Sequence, residues 1–326
     1  MRPFQTFTLR AGVFEGTQRR CDACPGGQPG LRAAPCRTPS QTPVHGRFLC
    51  FAGLVTLGLG WQLVVELLML GAFAGFLAGL LGVGGGMLMV PFMTFVLTSK
   101  GMPAAYVVKM AIATSLATIC FTSLSSVRTH HRRGAVRWDV VTLLAPGIIA
   151  GSLIGAQFAK ALPTQILAWL FAAFIGFSAT QMLINRKPKA SRQLPGPQGT
   201  FGAGGVIGLL SALVGAGGAF VSVPFMTWCN VPIHNAVATS AALGFPIALA
   251  GTVGYIIAGW SLPDMPSGAI GFIYLPALMA IAAASVLTAP IGARLAHRLD
   301  MAQLRRAFAV LLYGLAAYML YKGIAG

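Results

Sequence analysis

Acidic side chains are almost missing. Of 326 residues only six are Asp or Glu: Glu15, Asp22, Glu66, Asp139, Asp264 and Asp300. A carboxylate metal cage or a relay of proton-carrying acids needs several such groups within reach of one another, so no metal site is expected. Charge of either sign is scarce, at 9% of residues, where a soluble domain carries roughly 25%. Cysteine is also thin, and three of the six lie within the first 46 residues. Cys21 and Cys24 form a CxxC, but no second pair or His pair completes a zinc site and no βαβ pattern supports a thioredoxin fold. Cys120 and Cys229 stand alone in apolar surroundings and read as packing residues. There is no Walker motif, and the glycine-rich runs do not follow strands, so no nucleotide or other cofactor is expected. Ser240, His234 and Asp264 sketch a hydrolytic triad, but no nucleophile elbow surrounds the serine and Asp264 falls in a loop. The chain does not read as an enzyme.

What is present is apolar. Hydrophobic residues make up 56% of the chain and its mean hydropathy is +0.76, the composition of a polytopic membrane protein with the bilayer as its solvent. The net charge of +17 does not indicate nucleic acid, because the basic residues sit in short clusters between apolar segments, where positive charge marks cytoplasmic loops. Residues 1–46 are rich in Pro, Gly, Arg, Thr and Gln without apolar periodicity. They read as a disordered leader, either untethered or translated from a start codon placed too far upstream.

From Phe48 to Leu81 the chain is nearly continuously apolar, longer than the roughly 20 residues one spanning helix requires. A glycine cluster follows, and then a shorter apolar piece, Met87 to Thr98, more fitting for a half-helix than for a crossing. Further spans are expected over 104–127, 140–159 and 165–184. A second set follows: a hairpin over 201–231 and spans over 233–259, 269–292 and 303–322.

The second set repeats the first. GFLAGLLGVGGGMLMVPFMT, from Gly75 to Thr94, recurs as GLLSALVGAGGAFVSVPFMT, from Gly208 to Thr227, at a constant offset of 133 residues. Gly82, Gly84, Gly85 and Pro91 thereby fall on Gly215, Gly217, Gly218 and Pro224. After a shortening, Ala113-Thr114-Ser115 matches Ala238-Thr239-Ser240, Lys109 matches His234 and Asp139 matches Asp264; GAQFAKAL at 155–162 matches GARLAHRL at 292–299. Basic residues crowd the loop at 128–137 and the linker at 185–199, whereas 261–268 has Asp264 and no Lys or Arg, and positive charge returns at Arg294, Arg298, Arg305 and Arg306. If positive loops face the cytoplasm, the halves are inverted and each opens with a hairpin that enters and leaves on one face.

The predicted fold is therefore an all-α polytopic membrane protein of two inverted repeats. Each is a Gly-broken helical hairpin plus three transmembrane helices, about eight membrane segments in total, with repeat 1 over 47–184, a basic cytoplasmic linker over 185–199 and repeat 2 over 200–326. Such repeats place a substrate site at their interface near mid-membrane. A break in a membrane helix is tolerable where protein, water or ligand satisfies the freed backbone, and the helix starting after each break offers N–H groups and a positive dipole end to a small anion. Candidate substrate-binding residues are Gly82, Gly84, Gly85, Gly86, Pro91, Thr114, Ser115, Gly215, Gly217, Gly218, Pro224, Thr239 and Ser240. Lys109 and His234 are candidate anion or proton contacts. The competing roles are ordinary ones: glycine in close helix packing, Ser and Thr bonding back to the preceding turn, Lys and His snorkelling at helix ends.

These motifs, GVGGGMLMVPFM at 82–93, ATS at 113–115, GAGGAFVSVPFM at 215–226 and ATS at 238–240, resemble the sulfite exporter TauE/SafE family of membrane permeases over roughly residues 62–326. The resemblance implies a permease in a bacterial inner membrane for small sulfur-containing anions such as sulfite or sulfonates. The residues alone reach an anion-compatible site but not sulfur. They leave open a non-transporting membrane scaffold or receptor whose repeats merely pack. The second cluster departs from the first in having Ala219 where the first has Gly86. Expected partners are the anion and the bilayer.

Overall fold

The computed structural model describes residues 61–81, 86–132, 134–184, 195–260, 262, 266, 268–296 and 301–325. They form α1 (Trp61–Leu81), α2 (Gly86–Ser99), α3 (Ala104–Arg132), α4 (Trp138–Ala161), α5 (Thr164–Ile184), α6 (Pro197–Val214), α7 (Ala219–Trp228) and α8 (Ile233–Gly259). After α8 comes a short hairpin, β1 (Ala269–Ile270) paired antiparallel with β2 (Ile273–Tyr274), and then α9 (Leu275–Ala296) and α10 (Met301–Ala325). Helices dominate because a chain in lipid has no water to satisfy its backbone and must pair its own N–H and C=O groups within each segment.

Six of these helices are long and apolar enough to cross a membrane: α3, α4, α5, α6, α8 and the Arg306–Ile324 part of α10. α2 and α7 are shorter, at 14 and 10 residues. The outward faces are apolar as well, with Phe95, Phe121, Phe158, Phe177, Val310 and Ile324 all exposed. An apolar exterior of that extent is stable only against lipid, and the chain is a multi-pass membrane protein.

Several boundaries differ from the sequence expectation for local reasons. α3 runs past 127 through the first basic residues to Arg132, because a long helix can carry its charged last turn out of the hydrocarbon. α6 begins at Pro197, inside the expected linker, with proline in the first turn, where its missing N–H is not needed. The span expected from 269 starts instead as a β-hairpin and turns helical only at Leu275. Gly271 at its tip has φ +56°, a left-handed conformation that glycine adopts without steric cost. Asp264, the repeat counterpart of Asp139, lies outside the described residues.

The closest helix pairs are α1 with α9 and α4 with α6. Both are made by glycine faces that bring backbones together, the usual adhesive of helices in a solvent as apolar as their side chains. A methyl group at Gly71 would come within 2.8 Å of the Ile281 backbone, and one at Gly75 would strike Ser285. In the other pair, a methyl at Gly204 would lie 2.6 Å from Leu144 O and one at Gly208 would strike Ile148 O. Gly71 and Gly75 are related to Gly204 and Gly208 by the same 133-residue offset as the glycine clusters. Their partners Leu144 and Ile148 are related to Ile281 and Ser285 by the 137-residue offset of GAQFAKAL and GARLAHRL.

Contact order along the helices gives their relative senses. α1 and α2 are antiparallel, since Phe73 stacks edge-on against Phe92 and Lys100 Nζ lies 3.7 Å from Glu66. α4 and α6 are parallel, with Gly147 against Phe201, Gly151 against Gly205 and Gly155 against Leu209. α4 is also parallel to α8: Arg137 bonds Thr239 and Gln157 bonds Gly254. α3 and α8 are antiparallel, with Leu116 against Gly251 and Ser123 against Gly244. So are α5 and α10, joined by Thr180 with Tyr313 near one end and Trp169 with Gly323 near the other.

Candidate substrate site

The second break is described completely. α6 ends at Gly215, φ +69°, whose N–H bonds Ser211 O as does that of Ala216. The chain then passes Gly217 to Gly218, φ +75°, the residue before α7. Both left-handed positions would strain any other residue. A Cβ at Gly215 would also lie 2.9 Å from Val90 Cγ2 and 3.2 Å from the backbone of Ile112. No side chain caps the start of α7, where Val221 N and Ser222 N are the first to bond back, to Gly218 O.

Of the first break, Gly82, Gly84 and Gly85 lie outside the described residues, and Gly86 opens α2. Gly86 sits against the other break: a Cβ there would lie 2.5 Å from Ile119 Cδ1, 2.8 Å from Gly215 O and 3.4 Å from the backbone of Ala216. This close approach accounts for glycine at 86, where the second copy has Ala219. Ser115, buried in the middle of α3, joins the two: its Oγ donates to Gly215 O at 3.0 Å and lies 3.3 Å from Gly86 O. Ser115 thus supplies a proton to the carbonyl just beyond the end of α6, while Gly86 O, on the first residue of α2, stands where a carbonyl also accepts within its own helix.

The other hydroxyls divide. Thr114 Oγ1 accepts the N–H of Tyr274 at 3.1 Å, and Thr239 Oγ1 accepts the N–H of Arg137 at 3.1 Å. Ser240 Oγ pairs with Ser222 Oγ at 2.8 Å in a buried contact between α8 and α7. Pro91 and Pro224 lie inside α2 and α7, and Thr94 and Thr227, three residues on, bond back to Val90 O and Val223 O. The two candidate cations are placed apart from the breaks. Lys109 Nζ donates to Lys160 O at 2.9 Å, one of the last carbonyls of α4, and His234 is exposed in the first turn of α8. Among the described residues no cluster of His, Cys, Asp or Glu could hold a metal ion.

Buried hydroxyls at these helices that escaped the sequence reading include Thr118, Ser211 and Ser222. Ser211 and Ser222 lie inside GLLSALVGAGGAFVSVPFMT, where the first copy has Ala78 and Met89, so the residues that break the repeat were the available signal.

The profile of the family described as Sulfite exporter TauE/SafE matches residues 67–319 of this chain, a stretch that includes both breaks and both Thr-Ser pairs. The chain belongs to the TauE/SafE sulfite exporter family. A probable membrane transporter protein of Haemophilus influenzae is 35% identical over 256 residues, 78% of this chain and 97% of its own length. A probable membrane transporter protein of Methanocaldococcus jannaschii is 25% identical over 256 residues, 78% of this chain and 94% of its own. No solved structure matches. The TauE/SafE family is by its description one of membrane transporters, and a transporter has a small-molecule substrate and lipid around it.

Proposed function

We propose that this chain is a secondary transporter of small sulfur oxyanions, sulfite or a sulfonate, in a bacterial inner membrane, working by alternating access around the two glycine breaks. The observation that carries the reading is the link made by Ser115, which ties the carbonyls of Gly86 and Gly215 together in the protein interior. Two interrupted helices meeting at mid-chain polar backbone, inside an otherwise apolar bundle, is an arrangement that transporters use for binding. The substrate-binding residues in this reading are Gly82, Gly84, Gly85, Gly86, Pro91, Thr114, Ser115, Gly215, Gly217, Gly218, Pro224, Thr239 and Ser240, with Lys109 and His234 as anion or proton contacts. The family's description supplies sulfite.

The architecture in this proposal is two inverted repeats, 47–184 and 200–326, each a hairpin and three spans, joined by a cytoplasmic linker at 185–199. Its support lies in the equivalent helices. α3 corresponds to α8, and α5 to α10, and each of these pairs is antiparallel. A two-fold axis that reverses a membrane-crossing helix lies in the membrane plane. Because α6 and α8 are both parallel to α4, α7 between them returns the chain to the side from which α6 entered. This matches the basic segments 128–137, 185–199 and 294–306 facing one side and 261–268 the other.

Purified protein in liposomes is expected to accumulate or release labelled sulfite or a sulfonate under a membrane potential or a proton gradient. No flux across a broad anion panel would reject the proposal.

A further inference from the structure

Among the described residues Ser211 Oγ is the one buried side-chain oxygen or nitrogen without a hydrogen-bond partner. Its residue is 1% exposed. Serine in a membrane helix ordinarily bonds the carbonyl one turn back, as Thr118 and Ser178 do here. Ser211 instead faces the break: its Oγ would lie 3.0 Å from a Cβ at Gly218. A buried hydroxyl with no partner is destabilising, so a ligand partner would explain its retention.

Gly218 is the residue before α7, a helix of 10 residues whose start no side chain caps. Its first intrahelical bonds come from Val221 N and Ser222 N, which leaves the N–H groups of Ala219 and Phe220 ahead of them, as at any helix start. A hydroxyl and two amides thus lie beside Gly218, where a Cβ would meet Ile247 Cδ1 at 2.3 Å, so a ligand reaching them displaces that flexible side-chain end. The first copy of the motif has Ala78 in place of Ser211, so the hydroxyl belongs to the second break alone.

From this geometry we infer that the transported oxyanion is held at the second break, with one oxygen accepting from Ser211 Oγ and another from the Ala219 and Phe220 amides. The site deepens the transporter reading and rests on it. It also makes the two repeats unequal: the second binds, while the first, through Gly86 and Ser115, supports.

The test is Ser211→Ala in the full-length protein, assayed for sulfite and methanesulfonate flux in liposomes and for anion-induced shift of the melting temperature in detergent. Removing an unpaired hydroxyl leaves the ligand-free melting temperature unchanged or higher. The KM rises about tenfold or more, the loss expected for one hydrogen bond to an anion, and the anion-induced thermal shift shrinks. Ser211→Thr, which keeps the donor, retains more of the thermal shift than Ser211→Ala. Wild-type KM and thermal shift in Ser211→Ala overturn the assignment while leaving transport intact. Absence of wild-type flux overturns the transport reading and the assignment together.

Discussion

The N–H of Tyr274 bonds the hydroxyl of Thr114 at 3.1 Å, and the N–H of Arg137 bonds the hydroxyl of Thr239 at the same distance. Thr114 and Thr239 are matched residues of the repeated ATS motif, and Tyr274 and Arg137 each stand one residue before a matched helix, α9 and α4. Each half thus lends a hydroxyl to the helix entrance of the other. Thr114→Val and Thr239→Val should each lower stability, by about 1–3 kcal/mol where the abandoned N–H is buried. Tyr274 is buried and Arg137 exposed, so Thr114→Val should lower the melting temperature more. Equal and negligible effects would show that these bonds do not join the halves.

The glycine faces make a second prediction. Gly151→Ala drives a methyl into Gly205 O, whereas Gly176→Ala and Gly314→Ala place theirs in open space. The first should destabilise by about 1–3 kcal/mol through overpacking. The other two should be neutral or stabilising by up to about 1 kcal/mol, the helix-propensity difference. Thermal unfolding in one detergent compares all three, and a Gly151→Ala protein as stable as wild type would contradict the close α4–α6 contact.

At the breaks, Gly215→Ala combines a left-handed backbone with contact against Val90 and Ile112. Left-handed strain alone costs roughly 1–2 kcal/mol, so the variant should melt earlier and transport more slowly than wild type. Ser115→Ala keeps the backbone and removes the bridge, leaving the buried Gly215 carbonyl short of a donor at about 1–3 kcal/mol. Its flux should fall further than that of Thr94→Ala, which loses only a bond within its own turn. Equal flux in the two variants would remove Ser115 from the site.

Topology has a direct measurement. In a background freed of native cysteines, His130→Cys and Met265→Cys should be labelled by impermeant reagent from opposite sides of the membrane. Labelling from one side would end the inverted arrangement.

The apolar segments, the two glycine clusters and their repetition are readable in the chain itself. α8 occupies 233–259 as the apolar run predicts, and α2 and α7 are the short pieces after each glycine cluster. These are legible because length and hydrophobicity decide whether a segment enters lipid, and because Gly and Pro punctuate helices locally. Tertiary structure alone decided which faces meet. In a bilayer the lipid-facing and protein-facing sides of a helix are both apolar, so periodicity could not place α1 on α9, about 200 residues away, or send Lys109 to the end of α4. Nor could it tell Ser115, which joins both breaks, from Thr114, engaged at a helix entrance, or mark Ser211 as the hydroxyl left unpaired. Those assignments depend on which backbones approach within hydrogen-bonding distance, and that follows from glycine contacts between helices, not from the composition of any one of them.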